Sequence, residues 1–337
     1  MDDDVITLMA KFKKDLANAE KSQMEAMARR WIRLEESIKD SIELLARQIA
    51  ERRDIGAPIT QGVIFRLQRY QALLGQIQAE MNLYSSYAVA IIADTQEQIA
   101  TQSLNTARFA LEAAAPGVTA TFAPLPVSAV ENMAGLLGNG SPLHTLLLNN
   151  ATQAKLIDDM TFALINGTAR GINPRKVARQ MMDKLAGGLN QALTIARTEQ
   201  LRVFREAQRQ QYQSSGVVEG YFRLATREDR TCPACLARDG EFIPVGEVMP
   251  EHPQGRCAQV PKVVGVDAPQ WLKGVDWFNQ QSSTTQKSIL GDARFTAWKN
   301  NEFNFEDIAA VRYDGVWGRS LQTVPLKNLS NGGRDGR

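Results

Sequence analysis

The chain has 337 residues, 44% of them hydrophobic, which is enough for two domains and at least one genuine core. Its formal charge of +2 excludes wholesale coating of nucleic acid and an acidic tail, while leaving local patches open. No run approaches the ~20 apolar residues of a bilayer span, the acidic start MDDDVITLMAKFKK lacks the features of a secretory signal, and three cysteines, an odd number, argue against a disulfide framework. A soluble protein made inside the cell, with no membrane partner, is expected.

From Val5 to about Arg53, Met24, Met27, Trp31, Leu34, Ile38, Ile42, Leu45 and Ile49 recur at steps of three and four among charged residues. That spacing predicts one long helix with a narrow apolar seam. At ~1.5 Å per residue it extends roughly 70 Å, longer than a small domain is wide, so it needs a partner. DIGAPIT, residues 54–60, interrupts it through Gly56 and Pro58, and Thr60 is placed to cap the next helix. A second helical stretch runs through Leu67, Leu74, Ile77, Met81, Leu83 and Ile91, so residues 1–115 are expected to form an antiparallel, coiled-coil-like hairpin that packs on itself.

Residues 116–144 are rich in proline, glycine and small side chains and are expected to be a linker. Helical periodicity returns at Leu146, and Asn173 followed by Pro174 reads as an N-cap and first helical position. A further helix from Leu189 sets Leu189, Leu193, Ala196, Val203 and Phe204 near one face and ends at Ser214, Ser215 and Gly216. Three short strands follow, VVEGYFRLA, EFIPV and CAQVPKVVGV, each bounded by turn residues. The expected class is α+β, mainly α: a long N-terminal helical hairpin, then a helical region and a small metal-stapled β module over 145–266. Residues 267–337 read as a C-terminal extension of short helices with SNGGRDGR as a disordered tail.

All three cysteines and one of the two histidines lie in TCPACLARDGEFIPVGEVMPEHPQGRC, residues 231–257. Cys232 and Cys235 form a C-x-x-C knuckle; His252 follows after sixteen residues and Cys257 after four more. Three thiolates and an imidazole so spaced suit the tetrahedral preference of structural Zn²⁺. Pro233 and Pro253 stiffen the two turns. A redox reading would use Cys232 and Cys235 alone, but the motif follows the polar turn TREDRT in a region of strands rather than opening a helix in a βαβ unit. Chance clustering of reduced cysteines is the remaining account. The segment carries little apolar sequence, so metal binding is expected to contribute to its folding.

Three stretches, IARTEQLRVFREAQRQQYQSSG, REDRTCPACLARDGEFIP and PEHPQGRC, resemble in order and spacing the minor head protein family of tailed bacteriophages, the Mu F-like group. The likeness covers roughly residues 145–265. By that resemblance Arg197, Thr198 and Glu199 match the family's helix motif. Asp229, Arg230, Thr231, Cys232 and Cys235 match its turn, and Asp239 and Gly240 its following loop. His252, Pro253, Arg256 and Cys257 match its closing motif, with a departure at Gly255, where the family usually offers another cysteine. The resemblance implies a structural virion component of the capsid, assembled in the host cytoplasm and acting in head morphogenesis, DNA packaging or genome delivery. Its implied partners are the portal protein, the major capsid or scaffolding protein and viral DNA, with no small-molecule substrate.

Residues 170–210 hold nine lysines or arginines against three acids, a local +6. Arg175, Lys176, Arg179, Arg202, Arg205 and Arg209 are the candidates for contacting a phosphate backbone or an acidic portal surface, with a solvated helix face as the plain alternative. Tyr212, Tyr221 and Phe222 are candidates for stacking on bases or for core. Glu199 pairs with an arginine such as Arg230 or braces the metal turn. An enzyme built on Glu199, an ADP-ribosyltransferase or a nuclease, is one alternative, and a zinc-dependent nucleic-acid-binding regulator is another. No nucleotide-binding glycine loop or metalloprotease helix is present, and a closed four-ligand site leaves no position for a reacting water, so a non-enzyme is expected.

Overall fold

A computed structural model describes residues 2–118, 133–137 and 140–329. Most of the expected linker and all of the expected disordered tail therefore lie outside the described residues. The chain is mainly helical with two small antiparallel sheets, which agrees with the α+β expectation. It gathers into two compact units built from non-consecutive segments, Met1–Ala19, Gln96–Ala134 and Thr198–Arg337 in one, Glu20–Thr95 and Gly135–Arg197 in the other. The sequence blocks and these units divide the chain at different places.

Helix α1 spans Asp2–Asp54, a short α2 spans Gln61–Phe65, and α3 spans Gln68–Ala114. Within the second unit their pairing is antiparallel: Gln23 Nε2 donates to Ile91 O at 3.0 Å, Trp31 meets Tyr84 edge-on at 4.7 Å, and Gln76 Nε2 donates to Ser37 O at 2.7 Å. Within the first unit Phe12 stacks on Phe109. The α1 seam is buried from Met27 through Trp31, Leu34, Ile38, Ile42 and Leu45 to Ile49. Each such side chain stabilises by about 1.5–3 kcal/mol when removed from water. Met24, expected on the seam, is half-buried, and Gln23 takes the inward position.

On α3 the buried stripe is Tyr70, Leu73, Ile77, Met81, Tyr84, Ala88 and Ile92. The expected Leu74 and Ile91 are half-buried and Leu83 is 57% exposed. Choosing the strongest hydrophobes displaced the stripe, because two tyrosines and an alanine complete it. Tyr84 lies against Trp31, and the Tyr70 hydroxyl meets Thr161 Oγ1 at 2.7 Å.

Helix α4 is Asn150–Ala169, capped by the Asn149 side chain, which accepts from Thr152 N at 2.9 Å. Asn173 Oδ1 accepts from Arg175 N at 3.0 Å at the start of α5, Pro174–Ser214. The sequence suggested two helices here; the structure has one of 41 residues running through Gly187 and Gly188. Gly188 is there for proximity: a Cβ would stand 2.7 Å from Trp31 Cη2.

The main sheet holds β1, Val218–Leu224, between β2, Phe242–Pro244, and β3, Ala258–Val263, both antiparallel to it. All three expected strands form. A Cβ at Gly220 would lie about 2.4–2.5 Å from the Phe242 ring and Ile243 O, so the close approach of β2 needs this glycine. After the sheet come α7, Gly274–Asn279, α8, Ser283–Leu290, and α9, Asp292–Lys299.

The C-terminal extension is not wholly helical: β4, Ala309–Asp314, and β5, Gly318–Thr323, form a hairpin. Asp314 Oδ1 accepts from Val316 N and Trp317 N and closes its turn. Asp-Gly between alternating apolar and polar residues was the signal available for it.

The sheet is not starved of core, as its own sequence suggested. Val218, Tyr221, Ile243 and Val263 pack with Leu111 of α3, Ala115 just past its end, Tyr212 of α5 and Leu321 of β5. Tyr212 and Tyr221 are fully buried and Phe222 packs against Phe242 and Trp271, so these aromatics are core and not a base-stacking platform.

Candidate metal centre

The cysteine and histidine residues meet beside the main sheet. Cys232 is the N-cap of α6, Pro233–Ala237, with Pro233 at its first position, and Cys235 N donates to Cys232 O at 3.0 Å. This overturns one ground used against a redox pair, since the C-x-x-C does begin a short helix. The strands around it are nevertheless antiparallel, unlike a βαβ redox site, and a histidine and a third cysteine converge on it.

One ligand atom each from Cys232, Cys235 and His252 lies within 4.8 Å of the others. Cys257 falls into a second group of the same tightness with Cys235 and Glu251. The four expected ligands and Glu251 thus fall into two overlapping triads that share the Cys235 sulfur, with Cys257 grouped with Glu251 and not with Cys232 and His252. His252 Nε2 stands 3.1 Å from Cys235 Sγ, while Nδ1 lies 2.8 Å from Pro253 O, which orients the ring with Nε2 toward the sulfurs. Thr323 Oγ1 of β5 is 3.6 Å from Cys232 Sγ, a neighbour no sequence pattern pointed to.

The protons of the cluster are shared. A hydrogen bond from Cys235 holds Cys232 down to about 3 against the opposing effect of burial, and His252 adds to the effect. Burial pulls His252 downward, but the Cys232 thiolate, Glu251 and the Pro253 carbonyl outweigh it and raise the imidazole to about 9. Cys235 is pushed up because its thiol serves Cys232 and Cys257, and Cys257 is held down by that same bond from Cys235. Three sulfurs and an imidazole nitrogen gathered about Cys235, with Cys232 and Cys257 held toward the thiolate, fit a thiophilic divalent cation.

Helix α5 fixes the loop that carries His252 and Cys257. Thr198 Oγ1 accepts from Gln254 N at 3.0 Å, where Gln254 holds a left-handed φ of 62°. Arg205 Nη1 donates to Gly255 O at 2.8 Å. Asp239, inside the first unit, accepts from Ala225 N at 2.8 Å and lies 3.3 Å from both Arg227 Nη2 and Trp271 Nε1; burial pushes its carboxyl up. Gly240 has φ +87° and faces the Lys273 side chain. Thr231 Oγ1 accepts from Glu228 N, whereas Asp229 and Arg230 are exposed and Arg256 reaches only to Glu228 at 3.7 Å.

Residues 158–260 match the family of phage Mu protein F like proteins. The match opens in α4, spans α5 and the whole metal loop, and closes in β3; it leaves α1, α3 and the C-terminal extension outside. No curated protein and no solved structure matches the chain. Inside the Mu F-like region the helix motif therefore has a visible task, because Thr198 and, one turn or two onward, Arg205 hold the backbone of the closing motif.

Three of the six basic candidates are already engaged. Arg202 Nε is 2.6 Å from Glu199 Oε2, Arg209 is 2.6 Å from Glu206, and Arg205 is 8% exposed against the metal loop. Arg205 is buried and Arg202 and Arg209 are half-buried, all within the first unit. Arg175, Lys176 and Arg179, with Lys184, are exposed on the first half of α5 in the second unit, and Arg197 reaches Glu20 at 3.3 Å. Glu199 is 1% exposed and bound to Arg202, a partner the sequence did not single out, and that burial denies a substrate access to its carboxylate. Among the described residues no helix is long and apolar enough to cross a membrane.

The sequence missed Glu251 and Arg223. Arg223, on β1, is fully buried; it pairs with Glu251, donates to Pro250 O at 2.6 Å and lies 3.4 Å from Glu241. Burial works against the charge of this guanidinium, but Glu251, Cys257 and Cys235 keep it protonated. A single acid beside the histidine in PEHP, with an arginine at an inward strand position, was the hint in the sequence.

Proposed function

We propose that this chain is a minor head component of a tailed phage, a structural virion protein whose Mu F-like region is stapled by one Zn²⁺ through Cys232, Cys235, His252 and Cys257. The observation that supports the reading is the pair of triads sharing the Cys235 sulfur, Cys232 with His252 and Cys257 with Glu251, beside a loop clamped by Thr198 and Arg205 of the family-matched helix. The ion would supply charge neutralisation and cross-linking of β3, α6 and the loop between them. The residues themselves set the orientation: Pro233 fixes the knuckle and the Pro253 carbonyl turns the ring of His252.

In this role the protein binds portal, capsid or scaffolding protein during head assembly. Viral DNA is the further partner, met by the exposed Arg175, Lys176, Arg179 and Lys184 rather than by Arg202, Arg205 or Arg209. The test is metal analysis of the purified chain together with mass spectrometry of purified particles. About one zinc per chain and its presence in virions are expected; a metal-free preparation that melts like the metal-loaded one, or particles lacking the chain, would reject the reading.

A further inference from the structure

Glu251 lies in the buried wall of the metal loop, its side chain 6% exposed, with one carboxylate oxygen taken by Arg223. The other, Oε2, is buried and accepts no hydrogen bond, and a carboxylate oxygen of Glu251 lies within 4.8 Å of the sulfurs of Cys235 and Cys257, themselves within that distance of one another. A buried carboxylate oxygen without a partner, beside two thiols and away from water, is destabilising unless a further cation joins it. Gly255 makes the placement possible: a Cβ there would stand 1.8 Å from Oε2. The residue that departs from the family's closing motif is therefore the one that leaves room for the carboxylate.

Resting on the proposed metal site, we infer that Glu251 Oε2 is a further ligand of the same ion, on the Cys257 side, giving a donor set of three sulfurs, one nitrogen and one oxygen. Charge supports a single divalent ion. Three thiolates and one carboxylate are balanced by one such ion together with the buried Arg205 and Arg223, both of which act electrostatically on Glu251 and on the two buried cysteines. A second divalent ion would leave two uncompensated positive charges in a buried site.

The test is Co²⁺ titration of the full chain, read by its visible absorption. The wild type should bind one equivalent with thiolate charge-transfer bands and the weak ligand-field bands of five-coordinate Co²⁺. Glu251→Gln keeps an acceptor for Arg223. It should retain the charge-transfer bands, gain the stronger ligand-field absorption of a tetrahedral ion and bind roughly 10-fold more weakly, the lower end of the usual effect of altering a metal's surroundings. An unchanged spectrum and affinity in Glu251→Gln would overturn the assignment while leaving the zinc reading standing. A wild-type chain that takes up no Co²⁺ overturns both. Should Glu251→Gln fail to fold, the wild-type spectrum decides: the weak ligand-field bands of a five-coordinate ion support the carboxylate ligand, and the strong bands of a tetrahedral ion refute it.

Discussion

Arg205 and the exposed cations of α5 make opposite predictions although all lie on one helix. Replacing Arg205 by alanine removes the hydrogen bond to Gly255 O, a charge-assisted bond of about 1.5–3 kcal/mol. It also takes one of two buried cations from Glu251 and Cys257. Because Arg223 stays, the loss should fall short of the roughly 3–5 kcal/mol seen when a buried pair is broken outright, so about 2–4 kcal/mol is expected. In a zinc-buffered calorimetric scan that corresponds to a melting point lower by roughly 5–12 °C. On the proposal that DNA is a partner, the triple variant Arg175→Ala, Lys176→Ala, Arg179→Ala should instead leave the melting point nearly unchanged, since exposed substitutions cost within about 0.5 kcal/mol each. It should flatten the dependence of log affinity on log salt by up to ~2.7, at about 0.9 per lost phosphate contact. Anisotropy titrations of a labelled duplex over a salt series measure this. An Arg205→Ala protein that melts with the wild type but loses DNA affinity would refute the assignment of that arginine to the metal loop.

The two adjacent glycines of α5 should respond with opposite signs. Gly188→Ala meets Trp31, Leu156 and Leu148 at 2.7–3.2 Å and should destabilise by about 1–3 kcal/mol of overpacking, less about 1 kcal/mol of helix propensity, whereas Gly187→Ala has only an ordinary contact at 3.8 Å and should stabilise by about 0.5–1 kcal/mol; urea unfolding reports both. On the proposed zinc site, a chelator should lower the melting temperature of wild type by more than that of Cys235→Ser, which lacks the sulfur common to both triads. The chelated protein should also show a defined acid limb. Cys232, depressed from 9.0 to about 3, contributes stability that is lost as pH falls toward 3, and His252, raised from 6.5 to about 9, contributes stability lost as pH rises through 9. The opposed slopes cancel between 6.5 and 9, so the stability difference between wild type and Cys232→Ser should be flat there and shrink by about 1.4 kcal/mol per pH unit below 6.5. A difference that grows on acidification would contradict the thiolate–imidazolium pair.

The antiparallel hairpin, the three strands and the cysteines and histidine that come together could be read from the sequence, because each rests on local chemistry. Helical spacing fixes a seam, prolines and glycines fix breaks, and a C-x-x-C with a distant His and Cys limits the chemistry to few choices. Tertiary structure decided the rest. Which stripe of α3 faces inward depended on Trp31 and Thr161 across the interface, so Tyr84 and Tyr70 displaced Leu83 and Leu74. Gly187 and Gly188 read locally as a break, yet Trp31 needs the space and the helix runs on. Net basic charge over residues 170–210 could not tell Arg205, folded onto Gly255, from Arg175 in solvent, since charge counts carry no direction. Glu251 stayed hidden for the same reason: a carboxylate becomes a candidate ligand only when the fold buries it beside two sulfurs, fills one oxygen with Arg223 and leaves the other without a hydrogen bond.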